Sequence, residues 1–227
     1  MFIPLKDTNP LEFIRHAYVN WTLIAINILI FAILQGGLVN ISSVAVGGYG
    51  ITPATLFGTV KLDMAVVAIP SEFTLLTYMF LHGSWMHLIT NMLFLWVFGD
   101  NIEDAIGHFG YLVFYLACGV LAGLTHAVAV STSDASLVGA SGAVAGVMGA
   151  YFMLHPKVRV WVLLFWRLPL PLPAFIAIGL WIGLQILSAF MAQQDNIAWW
   201  AHIGGFVSGV ILIIFARRKS LKLLDMS

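Results

Sequence analysis

Four polar residues lie within otherwise apolar stretches of the sequence and could together do chemistry: His87, Asn91, Ser141 and His202. Polar side chains are costly to bury in hydrocarbon, so they usually mark function or helix contacts. A neutral serine hydroxyl is a poor nucleophile, and a base within about 3 Å must take its proton during attack. His202 can serve as that base and later return the proton to a leaving amine. Ser141 and His202 therefore predict acyl transfer by a serine and a histidine.

Helical spacing predicts how these residues meet. His87 and Asn91 are four residues apart, so both side chains project from one face of a helix. Ser141 and His202 each share a helical face with small residues, which are Ala145, Gly149, Gly205 and Gly209. Small residues let helix backbones approach closely in lipid. We therefore expect the two helices to bring the Ser141 hydroxyl within reach of the His202 imidazole.

The elements that position these residues must lie in a membrane. The 227 residues are 61% hydrophobic and only 9% charged, and the mean hydropathy is +0.98. About 20 apolar residues cross the hydrocarbon as a helix. Six runs of roughly this kind cover residues 21–38, 84–99, 109–130, 141–154, 173–191 and 199–216. We predict an all-α polytopic membrane protein of six transmembrane helices, in a single domain over residues 1–227.

Charge predicts the topology. With both ends and the even-numbered loops inside, the basic residues on that side are Lys6, Arg15, Lys157, Arg159, Arg167, Arg217, Arg218, Lys219 and Lys222. Only Lys61 remains outside, which fits the positive-inside rule with short cytoplasmic tails at both ends. The polar lead of residues 1–20 is typical of a bacterial N-terminus, so the expected location is a bacterial inner membrane.

The fourth span is too short for a full crossing. Its 14 residues reach only about 21 Å, so Ser141 should begin its helix some 10 Å below the outer surface. Residues 131–140 must then enter the membrane as a short re-entrant, non-helical loop beside a polar pocket. Residues 39–83 contain several glycines and prolines, which predict short helices in the outer interface.

Neither a metal nor a cofactor is expected. Cys118 is the single cysteine, so a disulfide framework and a paired thiolate metal site are both excluded. His82 and His87 lie five residues apart without an HExxH pattern, which does not predict zinc. The net charge of zero argues against a nucleic-acid partner.

Four motifs resemble those of the rhomboid intramembrane serine proteases of the bacterial six-helix type. They are Gly139-Ala140-Ser141-Gly142, Ala201-His202-Ile203-Gly204-Gly205 ending in Gly209, His87-xxx-Asn91 and Gly99-xxx-Glu103. A lone GxSG is weak, since hydrolases of other folds carry it. The four motifs fall on the predicted spans in order, and the resemblance covers essentially the whole chain.

The resemblance implies an intramembrane serine endopeptidase with Ser141 as nucleophile and His202 as base. It implies an oxyanion site formed by His87, Asn91 and the Ser141 amide, and single-pass transmembrane proteins as substrates in the lipid bilayer. No carboxylate accompanies the pair within the spans, so a dyad is expected; the nearest candidate is Asp195. Many relatives carry an aromatic residue four positions after the nucleophile, whereas this chain has Ala145. The resemblance therefore leaves the orientation of His202 open.

Other readings stay open at this point. Taken singly, Ser141 fits a packing residue, His202 a helix-contact residue, and His87 with Asn91 a pair of interhelical hydrogen-bonding groups. Gly99 and Glu103 are interpreted as structural, with the carboxylate holding the next loop. A catalytically inactive relative that binds membrane clients and a small transporter are the alternative functions. The oligomeric state is not predicted.

Overall fold

A computed structural model describes residues 2–35, 42–60, 68–164, 167–191 and 198–224. Its α-helices are α1 (Tyr18–Leu34), α2 (Ser42–Tyr49), α3 (Pro53–Leu56), α4 (Thr74–Thr77), α5 (Trp85–Ile106), α6 (His108–Ala129), α7 (Ser141–Leu154), α8 (Ala174–Met191) and α9 (Trp199–Ala216). Two 3₁₀ turns, Ser71–Phe73 and Tyr78–Phe80, flank α4. The strands are β1 (Phe2–Asp7), β2 (Arg159–Leu164) and β3 (Leu168–Pro173).

Four of the long helices follow the predicted spans. α1 begins at Tyr18 instead of Trp21, and residues 36–38 of its predicted span lie outside the described residues. α7 and α9 have the predicted bounds, and α6 and α8 differ by one residue at most at each end. By length and composition, α6, α8 and α9 are long and apolar enough to cross a membrane, while α1 and α7 are shorter apolar helices. α5 runs to Ile106 instead of ending at Gly99, because its last two turns carry acidic side chains that are bonded within the protein.

The all-α prediction left out a small antiparallel sheet, whose strand order is β1-β2-β3. Pro169, Pro171 and Pro173 alternate along β3, which is an edge strand, and face Leu163, Trp161 and Arg159 of β2. A proline lacks an N–H donor, so alternate prolines fit an edge strand whose donors on one side are unused. The period of two of these prolines is visible in the sequence, but the all-α prediction did not use it.

α7 lies at the centre of the bundle, in contact with α5, α6 and α9. Its residues from Gly142 to Tyr151 are buried. A side chain at Gly205 would overlap the carbonyl oxygen of Gly142, and one at Gly209 would overlap that of Gly146. The backbones of α7 and α9 therefore touch along the small-residue faces that the sequence predicted.

Two neighbouring carboxylates fasten the opposite end of α5 to the N-terminal part of the chain. Glu103 is fully buried and accepts hydrogen bonds from the backbone N–H groups of Val19 and Asn20 at 3.0 and 2.7 Å, and it also contacts His108 Nδ1. Asp104 accepts three more backbone N–H groups, those of residues 12, 13 and 14. Glu103 thus has the structural position predicted for it, although it holds the start of α1 as well as the start of α6.

Residues 131–140 are non-helical, as predicted, and Ile51 and Ala54 form hydrogen bonds with part of their backbone. Ile51 and Leu137 form an antiparallel bridge with N–H···O distances of 3.0 and 2.7 Å. Ala54 donates its N–H to the Ser133 carbonyl at 2.9 Å. This loop leads directly into Ser141, so the short elements of residues 42–60 help to fix where α7 begins.

Candidate active site

Ser141 and His202 are in direct contact. Ser141 is the first residue of α7, and His202 lies in the first turn of α9. The Ser141 Oγ lies 2.9 Å from His202 Nε2, which is an ordinary hydrogen-bond distance. The structure therefore brings together the two residues that the sequence proposed as nucleophile and base.

Gly139 determines how closely the chain passes beside this pair. Its φ of +127° is a backbone conformation that residues with side chains rarely adopt. A Cβ at this position would also collide with the His87 ring and lie 3.7 Å from Ser141 Oγ. The Gly139 backbone therefore lies against His87, next to the serine.

A residue that the sequence analysis did not single out holds the other side of His202. The His202 Nδ1 lies 2.7 Å from Oε1 of Gln185, which is on α8 and only 8% exposed. The signal was present in the sequence, because Gln185 is an amide within an apolar span, as Asn91 is. Asp195, the carboxylate considered from the sequence, lies outside the described residues.

Two tryptophan rings surround the His202 imidazole. The Trp181 ring lies 5.6 Å from it between centroids, and the Trp199 ring 6.4 Å. Ala145 supplies no ring from α7, so the aromatic contact with His202 comes from α8 and from α9 itself. The orientation that the sequence left open is thus constrained from other helices.

His87 and Asn91 lie on one face of α5, at the same end of the bundle as Ser141. His87 is half-buried, and its Nδ1 accepts a weak hydrogen bond from the Gly83 N–H at 3.4 Å. Asn91 lies one turn further along, with 6% of its surface exposed. Its amide nitrogen is buried and makes no hydrogen bond within the described part of the chain. His87 therefore lines the same cavity as Ser141 and His202, whereas Asn91 is a buried donor that is not among the residues lining this cavity.

A cavity of about 340 Å³ opens over the pair. Its lining residues are Gly83, His87, His126, Ala135, Ser136, Leu137, Val138, Ser141, Ala198 and His202. The lining thus combines residues 135–138 of the non-helical loop with Ser141 at the start of α7 and with Ala198 and His202 near the start of α9. A short extended peptide segment could reach Ser141 from this cavity while a carbonyl oxygen faces His87.

The possible metal ligands among the described residues are their His, Cys, Asp and Glu side chains. Among residues 2–35, 42–60, 68–164, 167–191 and 198–224, no group of three or more His, Cys, Asp or Glu side chains is arranged to hold a metal ion. His82 and His87 are neighbours, with ring centroids 5.2 Å apart, but they lack a third ligand of these types in that region.

Comparison with known proteins places these residues in a family. The family model described as Rhomboid domain matches residues 70–219, which is more than half of the chain. Among curated proteins, RHOMBOID-like protein 6, mitochondrial, of Arabidopsis thaliana is 34% identical over 166 residues, covering 72% of this chain and 50% of that protein. RHOMBOID-like protein 5 of the same organism is 29% identical over 151 residues, covering 66% of this chain and 46% of that protein.

Rhomboid protein 1, mitochondrial, of Saccharomyces cerevisiae is 26% identical over 152 residues, covering 63% of this chain and 41% of that protein. The chain thus spans half or less of the length of these relatives. Their names include mitochondrial forms, and a further relative, Rhomboid-like protein 11 of Arabidopsis thaliana, is chloroplastic. The bacterial origin and inner-membrane location expected from the first 20 residues are therefore not supported.

Proposed function

Because this chain belongs to the rhomboid family, we propose that it is an intramembrane serine endopeptidase that uses Ser141 and His202 as a catalytic dyad. The chain is a multi-pass membrane protein by family and by its apolar helices. The observation that carries the proposal is the 2.9 Å contact between Ser141 Oγ and His202 Nε2 beneath an open cavity. A serine and a histidine that served only as packing residues would not need such a cavity above them.

The proposed reaction begins with attack of Ser141 Oγ on a peptide carbonyl carbon while His202 Nε2 removes the hydroxyl proton. The imidazolium then gives this proton to the leaving amine, and water from the cavity hydrolyses the acyl-enzyme. Negative charge on the carbonyl oxygen requires donors that are already in place. The Ser141 N–H opens α7 and has no acceptor within that helix, so it is available together with His87 and Asn91.

The proposal includes the membrane arrangement expected from the sequence. It places six transmembrane helices, α1 and α5–α9, in a single domain with both tails cytoplasmic, and makes residues 131–140 a short re-entrant loop. Ser141 then lies about 10 Å below the outer surface. Soluble proteins would not reach that depth easily. The substrates proposed are therefore single-pass membrane proteins whose own helix unwinds locally, at a small number of weakly helical residues, to enter the cavity.

The test is proteolysis by the purified protein in liposomes with a panel of single-pass membrane substrates. Ser141→Ala and His202→Ala should each abolish cleavage while leaving membrane insertion and thermal unfolding unchanged. Ser208→Ala is the matched control, because Ser208 is also a helical serine but its hydroxyl donates to the Gly204 carbonyl of its own helix. A fluorophosphonate should label the wild-type protein and the Ser208 control, but not Ser141→Ala, and EDTA should not slow cleavage.

The same assay separates the alternative functions. A client-binding relative without activity would retain the substrates in a pull-down but leave them uncut, with equal binding by the wild type and by Ser141→Ala. Cleavage by Ser141→Ala at the wild-type rate would show that another residue is the nucleophile. Either result would reject the dyad.

A further inference from the structure

The contact between Gln185 and His202 joins two helices at the level of the dyad. Gln185 is on α8 and His202 is on α9, and the two side chains meet at 2.7 Å through Gln185 Oε1 and His202 Nδ1. Gln185 is buried, although α8 carries many exposed apolar side chains. One turn before it, Trp181 lies against the same imidazole ring. α8 therefore contributes both a polar and an aromatic contact to one side chain.

The chemistry of the two atoms determines where the proton lies. A side-chain amide oxygen only accepts hydrogen bonds, so Nδ1 of His202 must carry the hydrogen that it donates to Gln185. In a neutral imidazole the other nitrogen then has a free lone pair. That nitrogen is Nε2, which faces the Ser141 hydroxyl at 2.9 Å. The opposite tautomer would direct an N–H at the serine and could not remove its proton.

We infer that Gln185 is a positioning residue of this site, which fixes the tautomer and ring orientation of His202 that proton removal from Ser141 requires. The inference rests on the proposed protease function. Gln185 would take the place that a buried carboxylate has in a serine–histidine–aspartate triad. It does so without a charge, and a neutral amide costs much less to bury among apolar helices than an unpaired carboxylate.

The test compares a substitution that removes the oxygen acceptor with one that keeps it. Gln185→Met keeps a side chain of similar length but has no oxygen acceptor, whereas Gln185→Glu keeps an oxygen at the same reach. Leu184→Met is the matched control, because Leu184 is the adjacent α8 residue and is 56% exposed. Turnover of a membrane substrate, the rate of fluorophosphonate labelling and thermal unfolding are measured for each protein.

We expect Gln185→Met to lower kcat by about tenfold to hundredfold, the range for losing one buried hydrogen bond and leaving its donor unsatisfied. KM should change little, and labelling of Ser141 should slow in parallel with kcat. Gln185→Glu should restore most of the rate, and Leu184→Met should behave as the wild type. A Gln185→Met protein with normal kcat per folded molecule, or a Gln185→Glu protein as slow as Gln185→Met, would overturn the inference.

A measurement that needs no substrate tests the role of Gln185 independently of the proposed protease function. The ¹⁵N NMR spectrum of labelled histidine should show His202 as the Nδ1–H tautomer in the wild type and as a mixture in Gln185→Met. If the wild type cleaves nothing, the protease proposal fails, whereas the tautomer spectrum still decides what Gln185 does. Identical spectra for the two proteins would reject the positioning role whatever the activity.

Discussion

The helical bundle buries polar groups at both of its ends, and the hydrogen bonding of these groups differs between the two ends. At the carboxylate end, which we define as Asn20, Glu103, Asp104 and Tyr111, the polar groups bond to one another or to backbone. Glu103 and Asp104 accept five backbone N–H groups between them, and Asn20 donates to the Leu95 carbonyl and accepts from Tyr111 at 2.8 Å. Each of these four side chains therefore has a hydrogen-bond partner.

At the cavity end, which we define as His82, His87, Asn91, Ser141 and His202, several groups lack partners. The Asn91 amide nitrogen and both ring nitrogens of His82 make no hydrogen bond of ordinary geometry within the described part of the chain. Buried polar groups are almost always paired, so an unpaired set next to a cavity requires an explanation. Donors that bind a transition-state oxygen must be unoccupied beforehand. This comparison supports the proposed function, in which the carboxylate end would provide stability and the cavity end would provide the chemistry.

The largest expected effect comes from a substitution that separates α7 from α9 at the cavity end. Gly205→Leu places a side chain where the Gly142 carbonyl lies, so α9 must move away from α7 and His202 away from Ser141. Activity should fall at least a thousandfold, and thermal stability should fall as well. Gly183→Leu is the control, since Gly183 is exposed and a Cβ there would meet nothing within 4 Å. Normal turnover by Gly205→Leu would show that the close backbone contact is not needed for the dyad.

A pair of asparagine substitutions sharpens the comparison, because one lies at each end. Asn91→Ala should lower kcat by about 10² to 10³ with little change in KM or stability, since its amide bonds form only in the transition state. His87→Ala should act similarly. Asn20→Ala should instead lower the free energy of unfolding by about 2 to 3 kcal/mol, because the Tyr111 hydroxyl and the Leu95 carbonyl lose their partner.

Turnover and reversible unfolding, measured in the same detergent, give kcat and the free energy of unfolding for each variant. The assignment fails for Asn91 if its alanine variant loses stability and keeps its turnover. It fails for Asn20 if the loss is in kcat for molecules that remain folded.

Most of the cavity end could be predicted from the sequence, because its parts are local patterns. The four-residue spacing of His87 and Asn91, the small faces of two helices and the start of α7 at Ser141 are each visible within one segment. Gln185 has the same signal, an amide in an apolar run. However, its partner is an imidazole on another helix, and single-span patterns do not reveal which faces of two helices meet.

The sheet and the end of α5 were missed for a related reason. β2 and β3 are short strands that pair with each other, and β2 also pairs with β1, which joins residues more than 150 positions apart in the chain. Local hydropathy cannot indicate such a pairing. The acidic turns of α5 read as the end of an apolar span, because the backbone N–H groups that satisfy Glu103 and Asp104 belong to residues 12–20.

A third prediction tests the carboxylate end directly. Glu103→Ala leaves the N–H groups of Val19 and Asn20 without their acceptor, so the free energy of unfolding should fall by about 3 kcal/mol. Turnover per folded molecule should stay within about twofold, because the dyad lies at the other end of the bundle. Glu12→Ala is the control, since its side chain is exposed. A large loss of kcat in folded Glu103→Ala would show that the two ends are coupled.

The smallest expected effect concerns how the stability of the protein responds to acid through His82, at the cavity end. His82 is fully buried beside His87; burial first, and then this neighbour, lower its pKa to about 3 against a weaker opposite effect from the Phe80 backbone. An unfolded histidine has a pKa near 6.5, so the unfolded chain takes up the proton first as the pH falls. Stability is therefore full above about pH 6.5 and declines towards pH 3.

By pH 5 this one group should lower the free energy of unfolding by about 2 kcal/mol. His82→Leu removes the titrating ring, so its unfolding temperature should fall less between pH 7.5 and pH 5 than that of the wild type. Reversible unfolding in detergent at the two pH values measures the difference, and turnover at pH 7.5 verifies the fold of the variant. Equal acid sensitivity of the two proteins would mean that the imidazole at the cavity end gains a proton, or a partner, without unfolding.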